Sequence, residues 1–269
     1  MGYKHPDAII NRCPSCDHCF SDPNSIQDPE TYGKEYFCCD HKNWFDKPNL
    51  ALFKKISIII SKFKVNASVI DIGCGKGDFL FYLRSKNENL VLTGVDLYDN
   101  SSTDSITFIR KDFLSWEDSD TYDVIVSLSV IEHLCDIKEF INKVKEMAAK
   151  NNLIVISTIN ERSFLYDVAR FTYRLGLKMP FVRLYGKHHI NHFNKSSLAR
   201  LLKLNNIAIK KIINHDVNIN AIDLPSPLNK VALVQISRFM IFFIFLIGKL
   251  SGKTYLQTII CSAASDSNN

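Results

Sequence analysis

Three groups of residues have types and spacings that could do chemistry. The first is Asp71-Ile72-Gly73-Cys74-Gly75-Lys76-Gly77-Asp78, which closes a β-branched run and leads at once into a helical one. Glycines at a strand-to-helix turn let the backbone pass close to a ligand, and the exposed N–H groups of the helix favour electron-rich ligand atoms. A nucleotide-like group is therefore expected there. A dinucleotide fingerprint would put its third glycine at position 78, which is Asp. The second group is His133, with the cluster His188, His189 and His192. Imidazoles titrate near neutrality and serve as general bases or metal ligands. His188 and His192 lie four apart, but no H-E-x-x-H pattern accompanies them, so metal is not the expected reading there. The third group is Cys13-Pro14-Ser15-Cys16, with Cys38 and His41 downstream, a spacing that a tetrahedral zinc could close. The neighbouring Tyr32, Tyr36, Phe37, His41 and Trp44 carry a rival reading of the same segment, as a lid over the cofactor.

These residues need a frame. The runs ASVIDIG, NLVLTGVDL, ITFIRKD, YDVIVSLS and NLIVISTI are near-continuously apolar, as in parallel strands covered on both faces. Helical patterns lie between them, at Asp78–Lys86 and at Ile137–Lys150, and another begins near Ser196. Asn49–Lys64 reads as a packing helix with Asn49 at its N-cap. This alternation specifies an α/β, doubly wound, Rossmann-like sheet. Residues 1–48 lack apolar periodicity and read as an irregular, Cys- and aromatic-rich segment, leaving 49–269 as the main domain. Within that domain, residues 161–190 form an aromatic-rich insertion whose Phe164, Tyr166, Phe171, Tyr173, Phe181 and Tyr185 line an acceptor pocket or simply fill core.

With acid-x-G-x-G-x-G at the first turn and SVIEHL after the fourth strand, the stretch from Val69 to about Ile213 resembles the class I S-adenosylmethionine-dependent methyltransferases, the ubiquinone-type O-methyltransferases and bacterial sugar or cell-envelope methyltransferases among them. The resemblance implies a mostly parallel seven-stranded sheet with an antiparallel last strand. It also implies a site: Gly73, Gly75 and Gly77 around the cofactor, with Asp71 either touching it or orienting the loop. Asp96 would hold the ribose hydroxyls, with Leu97 beside it; Asp112 would meet the adenine amino group, with Phe113 on the ring, and Ser129 would face the methionine end. His133, His188 and His192 are the candidate catalytic bases, and some sugar methyltransferases carry an N-terminal zinc domain comparable to the Cys13, Cys16, Cys38 and His41 set. The expected activity is methyl transfer from S-adenosylmethionine to a small-molecule acceptor, a hydroxyl oxygen of a quinone precursor, a sugar or a lipid-linked intermediate. A non-catalytic S-adenosylmethionine-binding module and a nicotinamide-dependent oxidoreductase are the rivals, the latter disfavoured by Asp78.

Composition narrows the classes further. The 269 residues are 46% hydrophobic and 23% charged, an ordinary globular balance that leaves no room for fibrous or low-complexity architecture. A net charge of +5, from 33 basic against 28 acidic residues with no single basic run, does not point to nucleic acid and leaves an anionic membrane surface open. Eight cysteines in a chain this long do not resemble a disulfide scaffold, and no signal peptide opens the sequence, so a cytoplasmic location is expected. The apolar helix at 231–250 carries Arg238 near its middle and is followed by a strand that returns to the sheet. It fits a buried helix, a pocket wall or an interfacial helix in peripheral membrane contact better than a bilayer span.

Overall fold

The computed structural model describes residues 3–6, 8–22, 43, 46–186, 189–222 and 231–264. They fall into two compact units: one comprises residues 50–158, 196–213 and the chain from 258 on, the other residues up to 49 together with 159–195 and 214–257.

The first unit is built on the larger sheet. In chain order its elements are α1 (Leu50–Phe63), β4 (Ser68–Ile72), α2 (Asp78–Arg84), β5 (Val91–Asp96), β6 (Thr107–Arg110), β7 (Tyr122–Leu128), α3 (Ile137–Glu146), β8 (Ala148–Ile159), α6 (Lys195–Leu204), β10 (Ile207–His215) and β11 (Leu256–Ala263). The strands stand in the order β10-β11-β8-β7-β4-β5-β6, and β6, β5, β4, β7 and β8 pair in parallel. Ala263 N–H, late in β11, donates to the Asn152 side chain early in β8, at 2.9 Å, and Tyr255, just before β11, accepts from Asn160 N–H just past β8 at 2.8 Å. The last strand therefore runs antiparallel to β8, as expected. Val69, Val124, Val126 and Val155 on the strands are buried with Leu52, Ile56 and Ile60 of α1 and Leu80 and Leu83 of α2, which is why the strand sequences are apolar on both faces.

One sequence expectation shifts at its edge. The helix expected to reach Lys150 stops at Glu146, because Met147 closes it and residues 148–151 extend β8 instead, Tyr122 facing Ala148 across a register shift. Its start is sharp: Asp136 caps it by accepting from Glu139 N–H at 2.8 Å.

The second unit has its own small sheet. β1 (Tyr3–Lys4), β2 (Ile9–Arg12) and β3 (Cys19–Ser21) pair antiparallel, and β9 (Asn191–His192) adds to β3. So part of the segment expected to be irregular is stranded. Strands of two to four residues are too short to show a period in sequence, and this sheet needs a partner from about 170 residues away to close. The insertion forms α4 (Phe164–Arg174) and α5 (Met179–Leu184), and α7 spans Val231–Leu250. Tyr166, Phe181 and Tyr185 pack with Ile10, Phe245 and Leu256 in this unit's core, so half of the six insertion aromatics are core.

Candidate active site

The glycine turn follows β4 directly. Gly73, Gly75 and Gly77 all have positive φ, 70°, 53° and 81°, a region costly for residues with a Cβ. Two of them are also required sterically: a Cβ on Gly73 would lie 2.3 Å from a methyl of Val130, and one on Gly77 would lie 2.6 Å from the Phe108 ring. The turn is thus pressed against the exit of β7 on one side and against β6 on the other.

Asp96, at the end of β5, is tied to this turn. Its Oδ2 accepts from Gly75 N–H at 2.7 Å and its Oδ1 from Tyr98 N–H at 2.8 Å, while the Asn100 amide donates to the Gly75 carbonyl. Asn100 is a contributor that sequence reasoning missed, since an Asn in a polar loop carries no signal of its own. Beneath the turn, Asp71 is buried, and one of its carboxylate oxygens has no hydrogen-bond partner. Burial, and then the nearby Asp96 charge, raise its pKa well above the usual carboxylate range. Leu97 is exposed beside Asp96. An accessible carboxylate, a glycine-lined backbone turn and an exposed apolar side chain are the parts that an adenosine with a vicinal diol would use, so the residues fit such a group.

The remaining expected cofactor residues lie along the same ends of the strands. Asp112 is exposed and accepts from Leu114 N–H at 3.2 Å. Phe113 is buried edge-on to Phe140, at 5.7 Å between ring centres, with the Lys143 ammonium 5.1 Å from its centroid. Lys143 also donates to the carbonyls of Leu114 and Trp116, fastening this loop to α3. Ser129 has φ of 59°, an uncommon conformation for serine, and its N–H donates to the Ser157 carbonyl at 2.8 Å. Strained non-glycine backbone of this kind clusters at ligand-binding positions.

One turn on, Ile131–His133 forms a short 3₁₀ helix. His133 is half-buried. Glu132, the acid of the SVIEHL segment, is fully buried and accepts from the Thr158 hydroxyl at 2.8 Å. Burial pushes its pKa up to about 7. Only tertiary packing reveals this.

In the second unit His192 is fully buried on β9, with its Nε2 3.2 Å from the Ser21 hydroxyl and its ring 4.8 Å from that of Tyr185. Its neighbour Asn191 bonds His18 Nε2 at 3.2 Å. His188, Cys38, His41 and the expected lid aromatics Tyr32, Tyr36, Phe37 and Trp44 lie outside the described residues. Of the proposed zinc ligands, Cys13 and Cys16 are half-buried, and among the described residues neither joins a group of three metal-ligating side chains. Cys13 Sγ lies 3.1 Å from the Ser15 hydroxyl, which lowers its pKa to about 7.

A group the sequence did not single out sits in the same unit. Glu161 is wholly buried and accepts from Arg12, from Arg170 and from the Tyr185 hydroxyl, the last at 2.6 Å. Asp17, on the β2–β3 turn, pairs with Arg12 at 3.0 Å and with Arg162 at 2.7 Å.

Residues 43–211 match the family model for the methyltransferase domain. The chain belongs to this family. With its sheet order and antiparallel last strand, this methyltransferase is a class I, S-adenosylmethionine-dependent enzyme. Over 176 residues it is 26% identical to the ubiquinone biosynthesis O-methyltransferase of Rickettsia typhi, covering 59% of this chain and 69% of that protein. Over 143 residues it is 26% identical to (S)-coclaurine N-methyltransferase of Thalictrum flavum, covering 48% of this chain but only 39% of the plant enzyme. Its fold is similar to that of 1,6-didemethyltoxoflavin-N1-methyltransferase from Burkholderia thailandensis, solved with bound S-adenosylhomocysteine. The TM-score is 0.54 at 11% identity, over 94% of this chain and 99% of that one.

Proposed function

We propose that this methyltransferase acts in the cytoplasm on a hydroxyl oxygen of a small molecule: a quinone precursor, a sugar or a lipid-linked intermediate. The observation that carries the cofactor assignment is the Asp96 carboxylate bonded to Gly75 N–H at the mouth of the glycine turn. In this reading Asp96 takes the ribose hydroxyls and the turn at Gly73, Gly75 and Gly77 lies along the nucleoside. Leu97 and Phe113 border the adenine, Asp112 meets its amino group, and Ser129 faces the methionine end. Asp71, buried before the turn, supports it rather than touching the cofactor. The likeness to the Rickettsia ubiquinone O-methyltransferase supports an oxygen acceptor over the nitrogen of the plant relative, because it extends over more of both chains.

S-adenosylmethionine supplies a methyl group already activated by its sulfonium. The chain's residues then have to align an acceptor, exclude water and remove one proton. We assign the proton to His133, half-buried one turn beyond Ser129, with Glu132 behind it as a positioning group held by Thr158. His192, enclosed between Ser21 and Tyr185, holds the small sheet instead.

The deciding experiment incubates the purified chain with S-adenosylmethionine and acceptor fractions from a host extract and follows S-adenosylhomocysteine. Formation of that product with a hydroxylated acceptor is expected. Cofactor binding without turnover on any fraction would identify a non-catalytic module instead. His133→Ala is expected to lower kcat by roughly 10²-fold, within the range for a general base, while cofactor affinity stays put. Unchanged kcat removes the histidine from this role.

A further inference from the structure

The net charge of +5 hides an uneven distribution. From residue 168 to residue 264 the chain holds fourteen Lys or Arg and two acids, Asp216 and Asp223, so the rest is net acidic. Within this stretch, residues 168–186 and 231–253 of the second unit carry seven basic residues and no Asp or Glu; Arg170 and Lys253 pair with Asp167 just before it, which leaves Arg174, Lys178 and Lys249 as its exposed cations without a side-chain ion pair among the described residues.

The same two segments expose apolar surface in a pattern opposite to that of an ordinary surface helix. The inward side of α7 includes Ser237, Arg238 and Gly248 beside Ile241, Ile244 and Phe245, and a Cβ on Gly248 would touch Phe164 of α4 at 3.5 Å. Its outward side presents Ile236, Phe239, Met240, Phe242, Phe243 and Ile247, with Phe239 64% exposed. Water-facing helix sides are normally the polar ones. The end of α4 and the turn after it, packed in the same unit, add Phe171, Leu175, Leu177 and Met179, all more than half exposed. Arg174 and Lys178 are exposed in that same stretch, and Lys249 is exposed in the last turn of α7. So many exposed large apolar side chains in one unit mark an interaction site.

We propose that this face, the outward side of α7 with the α4–α5 turn, docks on an anionic lipid bilayer, with α7 lying in the plane of the headgroups. Charge selects the occupant. A two-fold dimer through this face would set the exposed Arg174, Lys178 and Lys249 of two copies against each other, and the nearest acid, Asp167, is already taken by Arg170 and Lys253. An anionic leaflet supplies the missing charge, and its acyl boundary takes the phenylalanines. Insertion is shallow. Among the described residues no helix is long and apolar enough to cross a membrane, and the inward side of α7 is held by its own unit through Phe245 and Gly248. The docking is independent of which acceptor is methylated, and cofactor binding in the first unit reports on it separately.

The test is co-sedimentation of the full chain with vesicles of phosphatidylglycerol and phosphatidylcholine, or of phosphatidylcholine alone, alongside calorimetric S-adenosylhomocysteine binding and sedimentation velocity. The expected result is binding to the anionic vesicles that weakens in high salt. Phe239→Ser with Phe243→Ser should weaken it by at least about tenfold, and Arg174→Gln and Lys249→Gln by about fivefold each, with S-adenosylhomocysteine affinity unchanged in all variants. Wild-type protein that ignores anionic vesicles, or variants that bind them as well as wild type, would overturn the proposal. So would a dimer that Phe239→Ser with Phe243→Ser dissociates, which would make a second copy the occupant.

Discussion

Gly73 is the residue at which the site tolerates least, because a Cβ there meets both a positive φ and the Val130 methyl at 2.3 Å. Gly73→Ala is expected to destabilise the fold by ~1–3 kcal/mol, the scale of a strained backbone position, and to lower S-adenosylhomocysteine affinity by at least about tenfold. Adding Val130→Ala relieves the clash but not the φ, so calorimetry and chemical denaturation should show only partial recovery. Glu132 makes a pH-dependent prediction of definite sign. Its carboxyl goes from an ordinary value of 4.5 to about 7 in the folded protein, so between these values the folded state holds the proton more tightly. Its contribution is without penalty below the unfolded value and increasingly unfavourable as pH rises to about 7. Glu132→Gln should therefore gain stability relative to wild type as pH rises from about 4.5 to about 7, by ~3 kcal/mol across the window, then level off. A gain that shrinks over this range would contradict the assignment. At Cys13, the Ser15 hydrogen bond makes a thiolate available near neutrality. Mass spectrometry after brief alkylation should find it modified before the buried Cys19 and Cys261, whose thiols burial pushes up to about 12. Protection of Cys13 by added zinc would instead favour the metal knuckle.

At the scale of elements, the insertion is held less by its periodicity than by one buried acid. Glu161 stands just past β8 and gathers Arg12 from β2, Arg170 from α4 and the Tyr185 hydroxyl after α5. Removing one partner of a buried pair leaves the others charged in a low-dielectric interior. Glu161→Ala is expected to cost ~3–5 kcal/mol of stability. Arg110→Ala, which removes an exposed pairing to Asp99, should cost less than about 1 kcal/mol. Similar losses from the two substitutions, measured by urea unfolding, would show that the Glu161 cluster is not what anchors these elements. The helix at 231–250 was legible in its bounds but not in its orientation, since a composition apolar nearly all round cannot tell which side faces water.

For the whole molecule, cofactor should raise stability by mass action. At a ligand concentration ~100 times Kd the gain is ~2.7 kcal/mol, which for a domain of this size is a rise in Tm of roughly 5–10 °C. A thermal-shift series with S-adenosylhomocysteine checks it; Asp96→Ala should abolish the shift at the same concentration. The sequence alone determined the parallel sheet and the glycine turn. Both are written locally, in apolar runs of strand length and in a dense glycine pattern beside an acid, so they needed no knowledge of distant partners. Only the tertiary structure decided the burial of Glu132 and Glu161, the enclosure of His192 and the outward apolar face of α7. In each of these the outcome depends on which residues, often more than a hundred positions away, exclude water from a side chain, and local patterning does not encode that.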